Sequence, residues 1–212
     1  KELDWGNIGF TYMTTDKRYV AEYKDGAWGE GALTSDPNVV INECAGILQY
    51  CQECFEGLKA YTTEDGSIVT FRPDLNAERM MDSAARLEMP PLPKERFLEA
   101  VDAVVKANAA WVPPFGSGAT LYLRPYMFAS GPVIGVKPSD EYQFRLFGTP
   151  VGPYFKGGAK PLTLCVSDFD RAAPQGTGHV KAGLNYAMSL YRRLQNKTQV
   201  FPLPGSIFVH NR

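Results

Sequence analysis

The sequence predicts an α/β fold in two parts, an α+β small domain over residues 1–154 and the start of a second domain over residues 155–212. Three observations support this prediction. Two Asp-Gly dipeptides lie between aromatic and β-branched segments, as in β-hairpins. Two stretches with the periodicity of amphipathic helices follow between residues 73 and 111. A connector rich in Gly and Pro, residues 151–158, then separates this first part from the remainder.

Composition places the chain among globular proteins and disfavours several functional classes. Its 212 residues are 44% hydrophobic and 21% charged. The formal net charge is −1, with both signs interspersed, so we expect no nucleic-acid or membrane partner. No apolar run reaches membrane-spanning length and no signal pattern opens the chain, so we expect a cytoplasmic protein.

The four cysteines are too few for a disulfide scaffold in a chain of this length. Cys51 and Cys54 form a C-x-x-C motif, which is compatible with a redox pair or with half of a zinc site. A second pair is missing, and His179 and His210 are the only histidines in the sequence. We therefore expect buried or helix-start thiols and no metal.

The first half of the chain reads as strands followed by helices. Segments 18–23 and 27–33 flank a Lys-Asp-Gly turn and predict a hairpin, and residues 39–48 predict a further strand or two. Segments 60–62 and 67–71 flank the second Asp-Gly and predict another hairpin.

Two helices and two long strands follow. Residues 73–87 predict a helix that begins at Pro73, where the missing N–H and fixed φ are favourable, and residues 94–111 predict a second helix. Segments 119–129 and 141–150 predict strands, and in the former Tyr122 and Arg124 share a face because strand side chains alternate. Residues 162–167 predict the first strand of the second domain.

A lysine near the end of this pattern is a candidate for chemistry. Lys181 follows a Gly- and Pro-rich turn, precedes a helix start made of small residues, and has Tyr186 five positions on. This arrangement suits a lysine whose amine must be free to form an imine. The ordinary alternative is a solvated lysine on a loop.

Five motifs in order carry a family resemblance: F-E-G-L-K-A-Y (55–61), F-R-P-D-L-N-A-E-R-M (71–80), L-Y-L-R-P (121–125), P-V-G-P-Y-F-K-G-G (150–158) and K-A-G-L-N-Y (181–186). Together they resemble the branched-chain amino acid aminotransferases, which are fold-type-IV enzymes that use pyridoxal phosphate (PLP). The order and spacing hold from about residue 5 to residue 190. The resemblance implies a D-amino acid aminotransferase-like PLP fold, a homodimer, and ping-pong amino transfer from Leu, Ile or Val to 2-oxoglutarate.

The resemblance assigns three cofactor-binding residues. Lys181 corresponds to the lysine that binds PLP as a Schiff base and moves the proton during catalysis. Tyr186 corresponds to the tyrosine that hydrogen-bonds the phenolic oxygen of PLP. Arg79 corresponds to the arginine that binds the phosphate, for which a guanidinium fork is well suited. Arg72 and Arg86 are alternative phosphate ligands.

The resemblance also assigns a substrate pocket. Phe10, Tyr50 and Tyr154 correspond to aromatic walls that accept apolar side chains. Tyr122 and Arg124 correspond to the pair associated with the carboxylate of glutamate or 2-oxoglutarate. His179 lies two residues before Lys181, but the family gives the proton transfer to the lysine, so we expect a bystander.

The resemblance stops after Leu190. The tail 191–212 contains no Asp or Glu, so it offers no acidic partner for the pyridine nitrogen of PLP. We expect a second domain that is truncated here, and a shift of the reading frame after Leu190 would explain the unmatched tail. Leu184 stands where a second glycine is common, and Gln49-Tyr50-Cys51 stands where His-Tyr-Gly is usual.

Two rival functions remain open at this point. One is another fold-type-IV PLP enzyme, such as a D-amino acid aminotransferase or an aminodeoxychorismate lyase. The other is a fragment without catalysis, such as a dimerising domain.

Overall fold

A computed structural model describes residues 1–153 and 173–187, together with Leu190. These residues form an antiparallel sheet with two helices packed on one face. The predicted strand at 162–167, Tyr154 and the tail 191–212 lie outside the described residues. The predicted boundary between residues 154 and 155 lies there too, so the division into two domains stays a prediction.

The first predicted hairpin is confirmed, with one interruption. Strand β1 (Arg18–Lys24) turns through Asp25 and Gly26, both at positive φ, into β2 (Ala27–Trp28). After a break at Gly29–Gly31 the chain returns to the same edge as β3 (Ala32–Thr34), which pairs with β1 near its start.

The strand expected over residues 39–48 is wrong. Asn42 folds this segment into a turn, because its side-chain oxygen accepts a hydrogen bond from the Cys44 N–H at 2.8 Å and its carbonyl accepts one from Ala45 at 3.0 Å. Helix α1 (Gly46–Tyr50) follows. Val40 is 87% exposed, so the β-branched residues that suggested a strand are not part of a sheet face.

The sheet continues through a short strand at residues 53–55 that was not predicted, and through strands predicted from the second hairpin and the long alternating segments. They are β4 (Glu53–Phe55), β5 (Leu58–Thr62), β6 (Ile68–Thr70), β7 (Thr120–Ala129) and β8 (Tyr142–Val151). The order is β2-β1-β8-β7-β5-β6, with β3 beside β1 and β4 beside β7. The central pair β7–β8 is in register over ten residues, with Arg124 opposite Phe147 and Tyr126 opposite Arg145.

Both predicted helices are confirmed within a few residues. Helix α2 (Pro73–Arg86) has Pro in its first turn, and α3 (Lys94–Ala107) is followed by a 3₁₀ turn (Ala109–Trp111). Their apolar stripes pack on one sheet face and form the core with alternate residues of the central strands. Buried core residues include Ala77, Met80, Phe97, Val101, Val104, Leu121, Leu123, Met127, Phe144 and Leu146. The opposite face, called the open face below, carries the other alternate residues of β7 and β8.

The described residues include no helix long and apolar enough to cross a membrane. They also contain no group of three His, Cys, Asp or Glu side chains arranged to hold a metal ion. Cys54 is buried in β4, and burial raises the pKa of its thiol, which keeps the group protonated and unreactive. Cys51 is exposed and follows the last residue of α1.

Replacing Cys51 with glycine is expected to stabilise the fold. Cys51 caps α1 in the left-handed region, at φ 53°, where a Cβ is unfavourable. We expect Cys51→Gly to raise the free energy of unfolding by about 0.5–1 kcal/mol, because the relief of about 1–2 kcal/mol of left-handed strain is partly offset by the greater chain entropy of glycine. Denaturant titration measures this change. Cys51→Ala is the control, since it removes the thiol but keeps the Cβ. An equal gain in both variants would show that the thiol, not the backbone conformation, is responsible.

Candidate active site

The turn that carries Lys181 is fixed against strand β4 and helix α2 by backbone contacts. The carbonyl of Lys181 accepts a hydrogen bond from the Phe55 N–H at 3.0 Å, and its own N–H donates to the Ser83 hydroxyl at 3.2 Å. The flanking residues Val180 and Ala182 are buried. Lys181 is therefore held at a defined position and only partly exposed, unlike a solvated loop lysine.

The Lys181 amine lies among aromatic groups. Its Nζ is 2.8 Å from the hydroxyl of Tyr186 and 4.5 Å from the centre of the Phe55 ring. The rings of Phe55 and Tyr186 are 5.1 Å apart. The five-residue spacing that singled out Tyr186 in the sequence thus corresponds to direct contact. His179 is exposed on the turn.

Arg79 is held by a carboxylate that has no exposed surface. Its Nε and Nη2 donate to the two oxygens of Glu56 at 2.6 and 2.7 Å, and Glu56 is 0% exposed. These hydrogen bonds raise the pKa of Arg79 most, and the nearby Tyr186 contributes as well. Arg79 therefore lies close to the tyrosine that contacts Lys181, and its Nη1 is not used by Glu56.

The alternative phosphate ligands are placed differently. Arg72 precedes α2 at a positive φ and forms an exposed ion pair with Asp74 at 2.7 Å. Arg86 is exposed in the last turn of α2. Of Arg79 and Arg72, Arg79 is the one whose pKa is raised by Tyr186, the tyrosine that contacts Lys181.

Arg124 extends the cluster along the open face. Its guanidinium carbon lies 4.7 Å from the centre of the Phe55 ring, and its Nη2 donates to the Tyr122 hydroxyl at 3.0 Å. The Phe10 ring is 5.9 Å from that of Tyr122. The Nε of Arg124 is buried without a hydrogen-bond partner among the described residues. A buried donor of this kind normally has an acceptor, and the described residues do not supply one.

The residues predicted from the sequence are therefore partly brought together. Lys181, Tyr186, Arg79, Arg124 and Phe55 form what is called the lysine cluster below, with Tyr122 and Phe10 beside it. Tyr50 is connected elsewhere: its hydroxyl accepts a hydrogen bond from the Gly135 N–H at 2.8 Å. Tyr154 lies outside the described residues.

Three residues of the site were not assigned by the sequence reasoning. Phe55 and Glu56 belong to a motif that was recognised, but neither was given a role. Glu53 lies on the same face of β4 as Phe55 and accepts a hydrogen bond from the Gly183 N–H. A Cβ at Gly183 would collide with that carboxylate, so a larger residue at this position would displace the end of the Glu53 side chain. No local signal in the sequence indicates this contact.

Burial raises the pKa of Glu53, whereas the Gly183 N–H and the charge of Arg124 act in the opposite direction. A carboxyl whose pKa is higher in the folded state binds its proton more tightly there than in the unfolded chain. Its contribution to stability is therefore present below the unfolded value of 4.5 and is lost as the pH rises through the folded value.

We expect Glu53→Gln to change this pH dependence. The amide oxygen still accepts from Gly183 but carries no charge, so the variant should gain stability relative to the parent chain as the pH rises above 4.5. Free energies of unfolding from denaturant titrations across this pH range would measure the difference. Glu64→Gln, at an exposed glutamate between β5 and β6, is the control. Parallel curves for the parent and Glu53→Gln would contradict the expectation.

Comparisons with known proteins agree on one family. A branched-chain-amino-acid aminotransferase of Haemophilus influenzae is 56% identical over 190 residues, covering 90% of this chain and 55% of that protein. The enzyme of the same name from Helicobacter pylori is 49% identical over 192 residues, covering 90% of this chain and 56% of that protein. The chain thus spans about half the length of these curated relatives. No family model matches it.

Solved structures show the same fold. A branched-chain amino acid aminotransferase of Escherichia coli has a TM-score of 0.64 at 25% identity, covering 83% of this chain and 54% of that one. A branched-chain aminotransferase of Thermoproteus uzoniensis with norvaline has a TM-score of 0.71 at 21% identity, covering 92% of this chain and 60% of that one. Another structure of this fold, from Thermobaculum terrenum, is described as the PLP form, with a TM-score of 0.68 at 17% identity, covering 93% of this chain and 60% of that one.

Proposed function

We propose that this chain, which is related to the branched-chain aminotransferases of fold type IV along nine-tenths of its length, contributes the lysine cluster of a PLP-dependent amino transfer site. The observation that carries the proposal is the contact between Lys181 and Tyr186, with Arg79 near enough for Tyr186 to raise the pKa of its guanidinium. The Lys181 amine can link to the aldehyde of PLP, and the Tyr186 hydroxyl can hydrogen-bond its phenolic oxygen. The half-exposed guanidinium of Arg79 can bind its phosphate.

The lysine cluster fits PLP on chemical grounds. Lys181 would hold the cofactor through its amine, and the Tyr186 hydroxyl would form a hydrogen bond with the phenolic oxygen of PLP. Arg79 would receive the phosphate, with Glu56 fixing two of its nitrogens so that the third stays available. When bound, PLP supplies the electron sink that loosens the α-hydrogen of an amino acid. Lys181 Nζ would then hold the proton that moves.

The residues in and beside the lysine cluster support a substrate pocket that is apolar in one part and cationic in another. Phe55 and Phe10 offer apolar ring surface, which suits leucine, isoleucine and valine side chains. The Nε of Arg124, which has no hydrogen-bond partner among the described residues, offers a buried cationic donor for the side-chain carboxylate of glutamate or 2-oxoglutarate. We propose that the chain accepts both classes of substrate at one site, which a ping-pong transfer requires.

Amino transfer itself can be measured directly. The purified chain with PLP is incubated with L-leucine and 2-oxoglutarate, and the glutamate formed is quantified by mass spectrometry. We expect glutamate to form with L-leucine and not with D-alanine as donor, and only when PLP is present. Glutamate formed from D-alanine in preference to L-leucine would favour a D-amino acid aminotransferase. Absence of glutamate from both donors, with PLP bound, would contradict transfer by this chain.

We also propose a homodimer. The loop that follows β7 exposes two large apolar side chains, Ile134 at 86% and Val136 at 92%. Exposed apolar clusters of this kind are typical of interaction surfaces. Sedimentation velocity should show a dimer for the parent chain and a shift towards monomer for Ile134→Lys with Val136→Lys. A monomeric parent chain would contradict the proposal.

A further inference from the structure

A cavity of about 360 Å³ lies on the open face, beside the β7–β8 pair. Its walls include the aromatic side chains of Tyr12, Tyr126 and Phe147 and two arginines, Arg18 from β1 and Arg145 from β8. The Phe147 ring contacts both tyrosines, at 5.7 and 6.1 Å between ring centres. None of the residues that line this cavity belongs to the lysine cluster.

Both arginines are buried, and the groups to which they donate among the described residues are all neutral. Arg18 is 4% exposed and donates to the carbonyls of Ser35 and Thr15 at 2.7 and 2.9 Å. Arg145 is 8% exposed and donates to the side-chain oxygen of Gln143 and the carbonyl of Asn38 at 3.1 and 3.0 Å. Among the described residues, no carboxylate oxygen lies within 4.0 Å of either guanidinium.

The nearby carboxylate of Asp36 offsets this charge only in part. The hydrogen bonds that Asp36 accepts from Asn38 lower its pKa most, and the charges of Arg145 and Arg18 lower it further. Asp36 is exposed to solvent, which screens its charge.

Two buried cations that have no paired anion in the described part of the chain are unfavourable for the fold. Removing a guanidinium from water carries a large desolvation cost unless a counter-charge compensates for it, and two like charges in one cavity repel each other. The Nε of Arg18 is in addition buried without a hydrogen-bond partner among the described residues. A buried N–H donor without an acceptor indicates that the cavity can hold a ligand whose acceptor atom pairs with this donor.

We propose that this cavity binds a small anion, a carboxylate or a phosphate, between Arg18 and Arg145. The anion would accept hydrogen bonds from guanidinium nitrogens that the carbonyls leave unused, and such bonds are charge-assisted. Tyr12, Tyr126 and Phe147 would pack against the organic part of the ligand. The cavity volume suits a small metabolite.

Titration of the full chain by NMR tests the proposal without a variant. Inorganic phosphate and benzoate, at matched ionic strength, represent the two anion chemistries, and the Nε–H signals of Arg18 and Arg145 report on the cavity. We expect both signals to shift and to saturate with at least one of the two anions. Tighter binding of phosphate would identify a phosphate ligand, and tighter binding of benzoate a carboxylate. Signals that do not move with either anion would overturn the proposal.

Variants separate this cavity from the phosphate site proposed at Arg79. Arg145→Gln should weaken binding of the better anion by about tenfold or more, the loss of a hydrogen bond to a charged group. Arg145→Lys, which keeps the positive charge but loses the planar guanidinium fork, is included in case Arg145→Gln does not fold and should weaken binding of the same anion as well. Arg79→Gln, and Lys17→Gln beside Arg18, should bind this anion with an affinity within about twofold of that of the parent chain. Equal weakening in Arg79→Gln and Arg145→Gln, or none in any variant, would overturn the proposal.

Discussion

Replacing Arg79 with methionine is expected to destabilise the folded chain by about 2–3 kcal/mol, because the carboxylate of Glu56 would then be buried without its cation. Glu56 has no exposed surface, and its remaining partners are the Asn76 amide at 2.8 Å and the Gly57 N–H at 3.2 Å. The side chain of Arg79 is itself 55% exposed, so the loss should be smaller than that for a fully buried ion pair. Denaturant titration measures the free energy of unfolding.

Two further variants identify the cause of this loss. Arg72→Met removes another arginine from the start of the same helix, but its pair with Asp74 is exposed, so we expect a loss below about 1 kcal/mol. Glu56→Gln in the Arg79→Met background removes the unpaired charge and should recover part of the stability. If Arg79→Met and Arg72→Met lose the same amount, then the Glu56–Arg79 pair does not stabilise the fold as the structure indicates.

Replacing Lys181 with arginine is expected to abolish covalent binding of PLP. A guanidinium keeps the positive charge but does not lose its proton at neutral pH, so it cannot link to the aldehyde. The parent chain should retain PLP after gel filtration, as measured by its visible absorbance. Lys181→Arg should carry no PLP that borohydride reduction attaches permanently to the chain. Tyr186→Phe removes the hydroxyl 2.8 Å from Nζ and should retain the link with weaker affinity.

The matched control for this loss is Lys24→Arg. Lys24 lies at the end of β1 in an exposed ion pair with Glu141 at 3.0 Å, remote in the sheet from the lysine cluster. It should bind PLP as the parent chain does. Retention of a borohydride-stable adduct in Lys181→Arg would mean that another lysine carries PLP.

The parts of the fold that could be predicted are those fixed by local chemistry. Asp25-Gly26 and Asp65-Gly66 specify hairpin turns within a few residues, and the apolar periods of α2 and α3 specify their buried faces. The strand prediction for residues 39–48 failed because the side chain of Asn42 accepts a hydrogen bond from a nearby backbone N–H and so stabilises a turn. β-propensity does not include this effect.

The candidate site divides in the same way. Lys181, Tyr186, Arg79 and Arg124 were found through motifs, and the contact between Lys181 and Tyr186 is local in sequence. The partners Glu56 and Glu53 depend on pairings across 23 and 130 positions, and no local pattern encodes these. Arg18 and Arg145 were not singled out either, since only the sheet register brings these two distant arginines to one cavity.

The most direct test of the proposed lysine cluster is an unbiased map of where PLP attaches. The parent chain is incubated with PLP, reduced with borohydride, digested, and every lysine is examined by mass spectrometry. We predict one dominant adduct, on Lys181, because Tyr186, Phe55 and the buried neighbours Val180 and Ala182 hold its amine in a site that also presents Arg79. Adducts spread over the exposed lysines in proportion to their accessibility, with no preference for Lys181, would contradict the account.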